Sequence, residues 1–166
     1  MRMFFKILAI LCLLATIAMA GVVLFAVNNH EPVITEVRAQ KVDKEAEYIA
    51  QTWQKIEKKT FEGRTFAQTL PLEEEAGAVD LTLRISNPGL LPMEWIAVGL
   101  VPGEADLAEE TDSGAYVLSP RAQGEMHLRR ISRDGTGSAR VWISYYLYGH
   151  PFRVEREITW TEEKKE

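Results

Sequence analysis

Five acidic side chains come closest, by type and spacing, to a site for chemistry: Glu104, Asp106, Glu109, Glu110 and Asp112. Carboxylate oxygens are the ligands that Ca²⁺ prefers in proteins. The run lacks the alternate-position ligands and the central glycine of an EF-hand loop. The pattern therefore favours a solvated loop. The alternative interpretation is a Ca²⁺- or ligand-binding sensor, or an enzyme, that uses loop 104–112.

Other signatures of catalysis or cofactor binding are missing from the sequence. The histidines His30, His127 and His150 lie too far apart to match the spacing of metal ligands. Cys12 is the single cysteine, which excludes an intrachain disulfide and a cysteine-based zinc site. No Gly-x-Ser-x-Gly elbow, P-loop or dinucleotide fingerprint occurs. We therefore expect a protein that is not an enzyme and holds no metal or cofactor.

A row of aromatic residues is the best candidate for a binding surface. Trp142, Tyr146 and Tyr148 fall on one face of a strand predicted over 139–147. The opposite face carries apolar residues: Val141, Ile143, Tyr145 and Leu147. Only one face of a strand in a sandwich packs on the second sheet, so the other is covered by another element or open to a partner. The three aromatics are the candidate partner-binding residues, with a place in the core as the alternative.

The charge distribution narrows the class of partner. The chain carries 19 basic and 24 acidic residues, and residues 1–27 hold only Arg2 and Lys6 as charges. The remainder has 17 basic and 24 acidic residues, a net charge of −7. Nucleic acids and anionic lipid headgroups both require a basic surface. We therefore expect no nucleic-acid partner and no electrostatic docking on anionic lipid.

The elements that position these residues begin with an apolar helix. Residues 7–27 contain no charge and span about 30 Å as a helix, the thickness of a bilayer core. Arg2 and Lys6 precede it, so the positive-inside rule places residues 1–6 in the cytoplasm and the rest of the chain outside. The alternative is a signal peptide cleaved after Ala20, which yields a secreted protein. The apolar run continues to Val27, which favours an uncleaved, single-pass signal anchor in the lipid bilayer.

The end of this helix carries a family resemblance. Residues 24–33, Leu-Phe-Ala-Val-Asn-Asn-His-Glu-Pro-Val, resemble the end of the first membrane helix in the lipopolysaccharide assembly protein A family. The second membrane helix of that family has no counterpart in this chain. The resemblance therefore implies a similar exit from the membrane and nothing about the domain that follows.

Residues 28–62 are predicted to form an amphipathic helical linker, with the helical pattern running from about Glu36 to Lys59. Apolar residues recur at helical spacing on one stripe: Val42, Ala46, Ile49, Trp53 and Ile56. The stripe favours packing on the chain's own β-domain. The alternative is a stalk that self-associates as a homodimer through Val42, Ile49, Trp53 and Ile56.

Residues 63–161 are predicted to form one mainly β domain, followed by a charged tail over 162–166. Val79, Leu81, Leu83 and Ile85 alternate with polar residues, as in a half-buried strand. About seven short strands are separated by turn signals such as Asn-Pro-Gly at 87–89. Strand number and spacing predict an antiparallel, immunoglobulin-like β-sandwich.

The turn pattern of this domain is similar to a known module. The strand and Asn-Pro step over 81–92, with the Leu-Ser-Pro-x-x-x-Gly step over 118–124, resembles the water-stress and hypersensitive-response domain of late-embryogenesis proteins. Fibronectin-like sandwiches look similar. The resemblance implies a binding or structural module without a catalytic site. We therefore expect a membrane-anchored extracytoplasmic module that binds a protein partner in an envelope complex.

Overall fold

A computed structural model describes residues 2–28, 30–42, 50–52, 54–56, 58, 60, 62–66, 77–111, 116–132 and 137–161. One long helix precedes nine strands in this described part of the chain. Their order is α1 (Arg2–Asn28), β1 (Val33–Lys41), β2 (Arg64–Thr65), β3 (Gly77–Ser86), β4 (Met93–Leu100), β5 (Asp106–Thr111), β6 (Tyr116–Leu118), β7 (Gln123–Ser132), β8 (Ser138–Leu147) and β9 (His150–Thr159).

The strands form two antiparallel sheets. The five-stranded sheet has the order β1-β3-β7-β5-β2, and the four-stranded sheet has the order β6-β4-β8-β9. The inward-facing side chains of both sheets form one hydrophobic cluster, which includes Leu81 and Leu83 of β3 and Val141 and Ile143 of β8. The predicted mainly β sandwich behind an apolar N-terminal helix is therefore confirmed.

Strand β1 corrects the prediction that the helical pattern starts near Glu36. Val33–Lys41 pairs antiparallel with β3 from Val33↔Ser86 to Lys41↔Val79, and in the described part of this segment helix is found at residues 50–52 and 54–56. The register shifts between Ile34 and Glu36. This bulge breaks the period of two, so the alternation that identifies a strand is interrupted in the sequence.

Strand β5 corrects the prediction of a solvated acidic loop. Asp106–Thr111 pairs with β7, and Asp106 and Glu109 are buried. Acidic residues are depleted in strands unless their carboxylates find partners, and in this strand those partners come from distant positions. The start of the predicted loop, around Glu104, is exposed and lies before the strand.

The apolar helix α1 is long enough to cross a bilayer. Its 27 residues reach about 40 Å at ~1.5 Å per residue. The stretch Met3–Ala26 has a mean hydropathy of 2.9 in its most apolar part, which is fully exposed. Length and composition therefore fit a membrane anchor and equally a signal sequence.

The connection from α1 to the sandwich is short and packed. The His30 ring lies 4.5 Å from the Phe152 ring and 6.1 Å from the Tyr145 ring, centroid to centroid. Glu31 forms an ion pair with Arg156, and Pro32 is fully buried. The helix is therefore joined to the sandwich at the end where β8 finishes and β9 begins.

A buried ion pair joins β5 to β7. The Arg130 Nε atom lies 2.6 Å from Asp106 Oδ1, and both side chains are almost completely buried. Asp106 Oδ2 also accepts a 2.8 Å hydrogen bond from the Gly103 N–H, and the Arg130 guanidinium lies 5.9 Å from the Trp160 ring centroid. The pair therefore satisfies two charges that are shielded from water.

Asp106→Ala is expected to lower the free energy of unfolding by about 3 to 5 kcal/mol, because the Arg130 charge stays buried without this partner. Chemical denaturation of the full chain in detergent, followed by tryptophan fluorescence, measures this loss. Asp80→Ala removes the partner of Arg129 in a half-exposed pair and is the matched control. It should cost only about 0 to 1 kcal/mol. Equal losses for the two variants would contradict the proposed role of burial.

Candidate functional site

The candidate surface is built on Trp142, which lies on the face of the four-stranded sheet that points away from the core. Its neighbours in sequence, Val141 and Ile143, are fully buried in the core. Trp142 is paired with Gly99 on β4, and a Cβ atom at Gly99 would lie 2.4 Å from the indole Cζ2 atom. Only glycine leaves room at this position for the ring to lie flat across the neighbouring strand.

Two arginines cover this ring. The guanidinium carbons of Arg64 and Arg153 each lie 4.9 Å from the Trp142 ring centroid, within the range of cation–π interactions. Together with the surrounding structure they reduce the exposed fraction of Trp142 to 7%. We call Arg64, Trp142 and Arg153 the arginine–tryptophan stack. The stack presents two cationic groups on a rigid aromatic base.

Glu109 supports the stack from below. Its side chain is 1% exposed, Oε1 lies 3.6 Å from Arg64 Nε, and Oε2 accepts a hydrogen bond from the Leu100 N–H. Among the described residues, β6 pairs with β4 at Met93 and Ile96, and the Leu100 N–H is satisfied by the Glu109 carboxylate. Burial raises the pKa of Glu109, against the lowering effects of the Leu100 hydrogen bond and the Arg64 charge.

The structure separates the three predicted aromatic residues. Trp142 is buried beneath the two arginines, whereas Tyr146 is 39% exposed on the same face. Tyr148 is 75% exposed and lies beyond the strand, in the two-residue turn with Gly149. Both turn residues have positive φ, 50° and 78°, as a tight hairpin requires. The three aromatic residues therefore do not form one exposed row: Trp142 is covered, Tyr146 is half-exposed and Tyr148 is exposed in a turn.

The acidic residues near β5 do not converge on one point. Asp106 pairs with Arg130, Glu109 contacts Leu100 and Arg64, and Glu110 lies 3.5 Å from Arg129. Asp112 lies outside the described residues, and Glu104 is exposed. In the part of the chain that the structure describes, no group of three His, Cys, Asp or Glu side chains is arranged to hold a metal ion.

The three histidines have separate surroundings. His30 packs on Phe152 near the helix, and His127 Nδ1 lies 3.2 Å from Thr82 Oγ1 on the outer face of the five-stranded sheet. His150 is exposed at the start of β9.

The stripe proposed for self-association is partly described. Val42 and Ile56 pack against a second apolar cluster of the β-domain, formed by Ala78, Leu107, Ala108 and Ile131. Ile49 and Trp53 lie outside the described residues. The two described members of the stripe therefore cover the chain's own sheet.

Reasoning from the sequence missed Arg64, Arg153 and Glu109 as parts of the surface. Arg153 faces the same way as Ser144, its partner across β8 and β9, so the alternation of these strands carried a signal for it. Arg64 lies on a two-residue strand and had no local signal. The contact of Arg64 with Trp142 depends on the pairing of β2 with β5.

Comparisons with known proteins find only distant structural likenesses. No family model matches the sequence, and no curated protein matches it. The GAE domain of yeast GGA1 is similar in structure, with 13% identity, a TM-score of 0.37, and coverage of 55% of this chain and 96% of its own. A FixG-related protein from Vibrio parahaemolyticus has 6% identity, a TM-score of 0.35, and coverage of 75% of this chain and 94% of its own. These low values support no argument about function.

The raised pKa of Glu109 predicts how the free energy of unfolding changes with pH. Since the folded pKa lies above the ordinary value of 4.5, folding favours the protonated carboxyl, and this contribution is lost as pH rises through the raised pKa. A hydrogen bond from Arg38 lowers the pKa of Glu36, and one from Arg84 lowers the pKa of Glu125. Their stabilising contribution is therefore lost only when the pH falls below the ordinary value of 4.5.

Glu109→Gln keeps an oxygen to accept the Leu100 N–H but cannot ionise. We expect its free energy of unfolding to fall less than that of the wild type when pH is raised from 5 to 8. Denaturant titrations at several pH values measure the difference. Glu110→Gln, a half-exposed neighbour on the same strand, should keep the wild-type pH dependence. Parallel curves for Glu109→Gln and the wild type would show that this carboxyl does not titrate with folding.

Proposed function

We propose that this protein is a membrane-anchored, extracytoplasmic β-sandwich that binds a protein partner within an envelope complex and is not an enzyme. In this proposal α1 is a signal anchor that is not cleaved. Residues 1–6 lie in the cytoplasm and the sandwich lies outside. The arginine–tryptophan stack and Tyr146 form the surface that contacts the partner.

The anchor is supported by the extent of the helix. The apolar run passes the Ala-x-Ala sequence at 18–20 without a break, and α1 ends only at Asn28. A signal peptide ordinarily ends its apolar region before the cleavage site. Arg2 and Lys6 at the start of α1 give the charge bias that keeps this end in the cytoplasm.

The single observation that carries the partner surface is the arginine–tryptophan stack itself. Tryptophan, tyrosine and arginine are the residue types that contribute most to binding at protein interfaces. Here Trp142 is held beneath two arginines and against Gly99, so the surface is organised before a partner arrives. A rigid surface loses less conformational entropy on binding. The net charge of −7 on residues 28–166 makes a nucleic-acid partner unfavourable.

An uncleaved anchor predicts that the mature protein has the mass of a chain that keeps its N-terminal residues. Intact mass spectrometry of the membrane fraction should find a chain that retains residues 1–20, because α1 stays in the bilayer. The Ala20→Leu variant removes the cleavage sequence and serves as the reference for an uncleaved chain. A mature wild-type chain that begins at Gly21 and is recovered from the soluble fraction would overturn the anchor.

The partner surface predicts position-specific crosslinking in intact cells. A photo-crosslinking amino acid at position 146 should yield one defined adduct. Position 116 is the matched control, because Tyr116 has a similar exposed fraction, 37% against 39%, and lies on the edge strand β6 of the same sheet. Arg153→Glu should reduce the yield of the adduct at least about tenfold, since a charge reversal at a central arginine costs several kcal/mol.

The identity of the adduct decides the outcome. A single protein species at position 146, absent at position 116 and lost with Arg153→Glu, supports the proposal. Equal labelling at both positions, or labelling that Arg153→Glu leaves unchanged, contradicts it. An adduct of the chain with itself would assign the surface to a homodimer.

A further inference from the structure

The exposed apolar residues of the β-domain are gathered toward one end. Outside α1, the described residues with exposed large apolar or aromatic side chains are Val33, Leu90, Trp95, Tyr116, Val117, Tyr146 and Tyr148. Strand pairing places them in the same half of the sandwich, since Val33 pairs with Ser86 and Glu94 pairs with Tyr146. The opposite end, around Gly103 and Glu104, carries none of them.

This end of the sandwich is also the end that α1 joins. Only residues 29–32 separate Asn28 from Val33, so their Cα atoms are at most about 19 Å apart. The contacts of His30 with Phe152, of Glu31 with Arg156 and of buried Pro32 hold this connection against the sandwich. If α1 spans a bilayer, the end of the sandwich must lie at its surface.

Two of the exposed rings are held outward by unusual backbone conformations. Trp95 has φ of 53° within an irregular part of β4, and Tyr148 has φ of 50° in the β8–β9 turn. Positive φ is rare for bulky residues. The tight hairpin accounts for it at Tyr148, whereas at Trp95, inside a strand, it makes a functional reason worth seeking. Trp95 is 64% exposed, in contrast to the Trp142 and Trp160 rings, which are buried.

The loop between β3 and β4 is fixed in place beside these rings. Buried Asn87 donates hydrogen bonds from Nδ2 to the Leu91 carbonyl at 2.8 Å and the Leu118 carbonyl at 3.0 Å. Its Oδ1 accepts a 2.9 Å hydrogen bond from the Gly89 N–H. Leu90 is therefore presented at the surface by an ordered loop.

We propose that this end of the sandwich rests on the bilayer, with Trp95, Tyr148 and Leu90 inserted at the membrane interface. The inference rests on the proposed anchoring of α1. Tryptophan and tyrosine favour the interface because their rings combine an apolar body with a polar group. The proposed contact with the lipid is apolar rather than electrostatic, since residues 28–166 carry a net charge of −7. Tyr148 is thereby assigned to lipid, and Tyr146 remains with the protein partner.

The test uses the full chain in vesicles of neutral phosphatidylcholine, part of it brominated near the carbonyl end of the acyl chains. Brominated lipid quenches tryptophans that touch the interface. All variants carry Trp53→Phe, so that Trp95, Trp142 and Trp160 are the remaining tryptophans. Trp95→Phe should reduce the quenched fluorescence by roughly half or more, because Trp95 supplies the exposed ring at the interface. Trp160→Phe is the matched control and should leave the quenched fraction unchanged.

A second reporter separates the two proposals. A nitroxide attached to native Cys12 reports whether α1 lies in the lipid. A nitroxide attached to the Glu104→Cys variant, in a Cys12→Ser background, should remain in water. Quenching that depends on Trp95 and persists in high salt supports the inference. Equal quenching with and without Trp95, while Cys12 is deep in lipid, would overturn it and leave the anchor standing. Cys12 exposed to water would remove the anchor and the inference together.

Discussion

Burial of the inward-facing side chains of β3 and β8 is the interaction on which the rest of the structure depends. Each strand lies inside its sheet, and their inward side chains belong to one core cluster. A fully buried Leu, Ile or Val contributes about 1.5 to 3 kcal/mol. Because side chains alternate, this burial also fixes what points outward: Trp142 on β8 and Thr82 on β3. A slip of one residue would exchange the two faces, so the candidate surface depends on the register of the core.

A backbone donor on β4 explains where one buried carboxylate is found. Leu100 of β4 pairs with Val141 of β8 on one side, and Glu109 accepts its N–H. An unsatisfied buried donor costs about 1 to 3 kcal/mol. The same carboxylate lies near Arg64, which in turn lies over Trp142. The arginine–tryptophan stack is thus coupled to the group that accepts the Leu100 N–H, and a change in one alters the other.

Reasoning from the sequence predicted the strands whose own residues alternate between apolar and polar types. The alternation in β3 and β8 and the turns beside them identified a sandwich from local spacing alone. Sequence reasoning failed for β1, where a bulge interrupts the alternation. It also failed for β5, whose carboxylates contact Arg130 and Arg64 far along the chain. The contact of Arg64 with Trp142 was not predicted either, since Arg64 lies on a distant two-residue strand. Contacts between remote positions leave no periodic trace in the sequence.

Under the proposed anchoring, the short connection after α1 gives the sandwich an orientation relative to the membrane. Antiparallel strands turn alternately at the two ends, and the two sets of turns differ in chemistry. Turns near the helix carry Leu90 and Tyr148, whereas the turn at the far end carries Gly103 and Glu104. A group of exposed apolar residues at one end of a domain marks a contact surface. If a membrane helix holds the domain at that end, this surface meets lipid while the other end meets water.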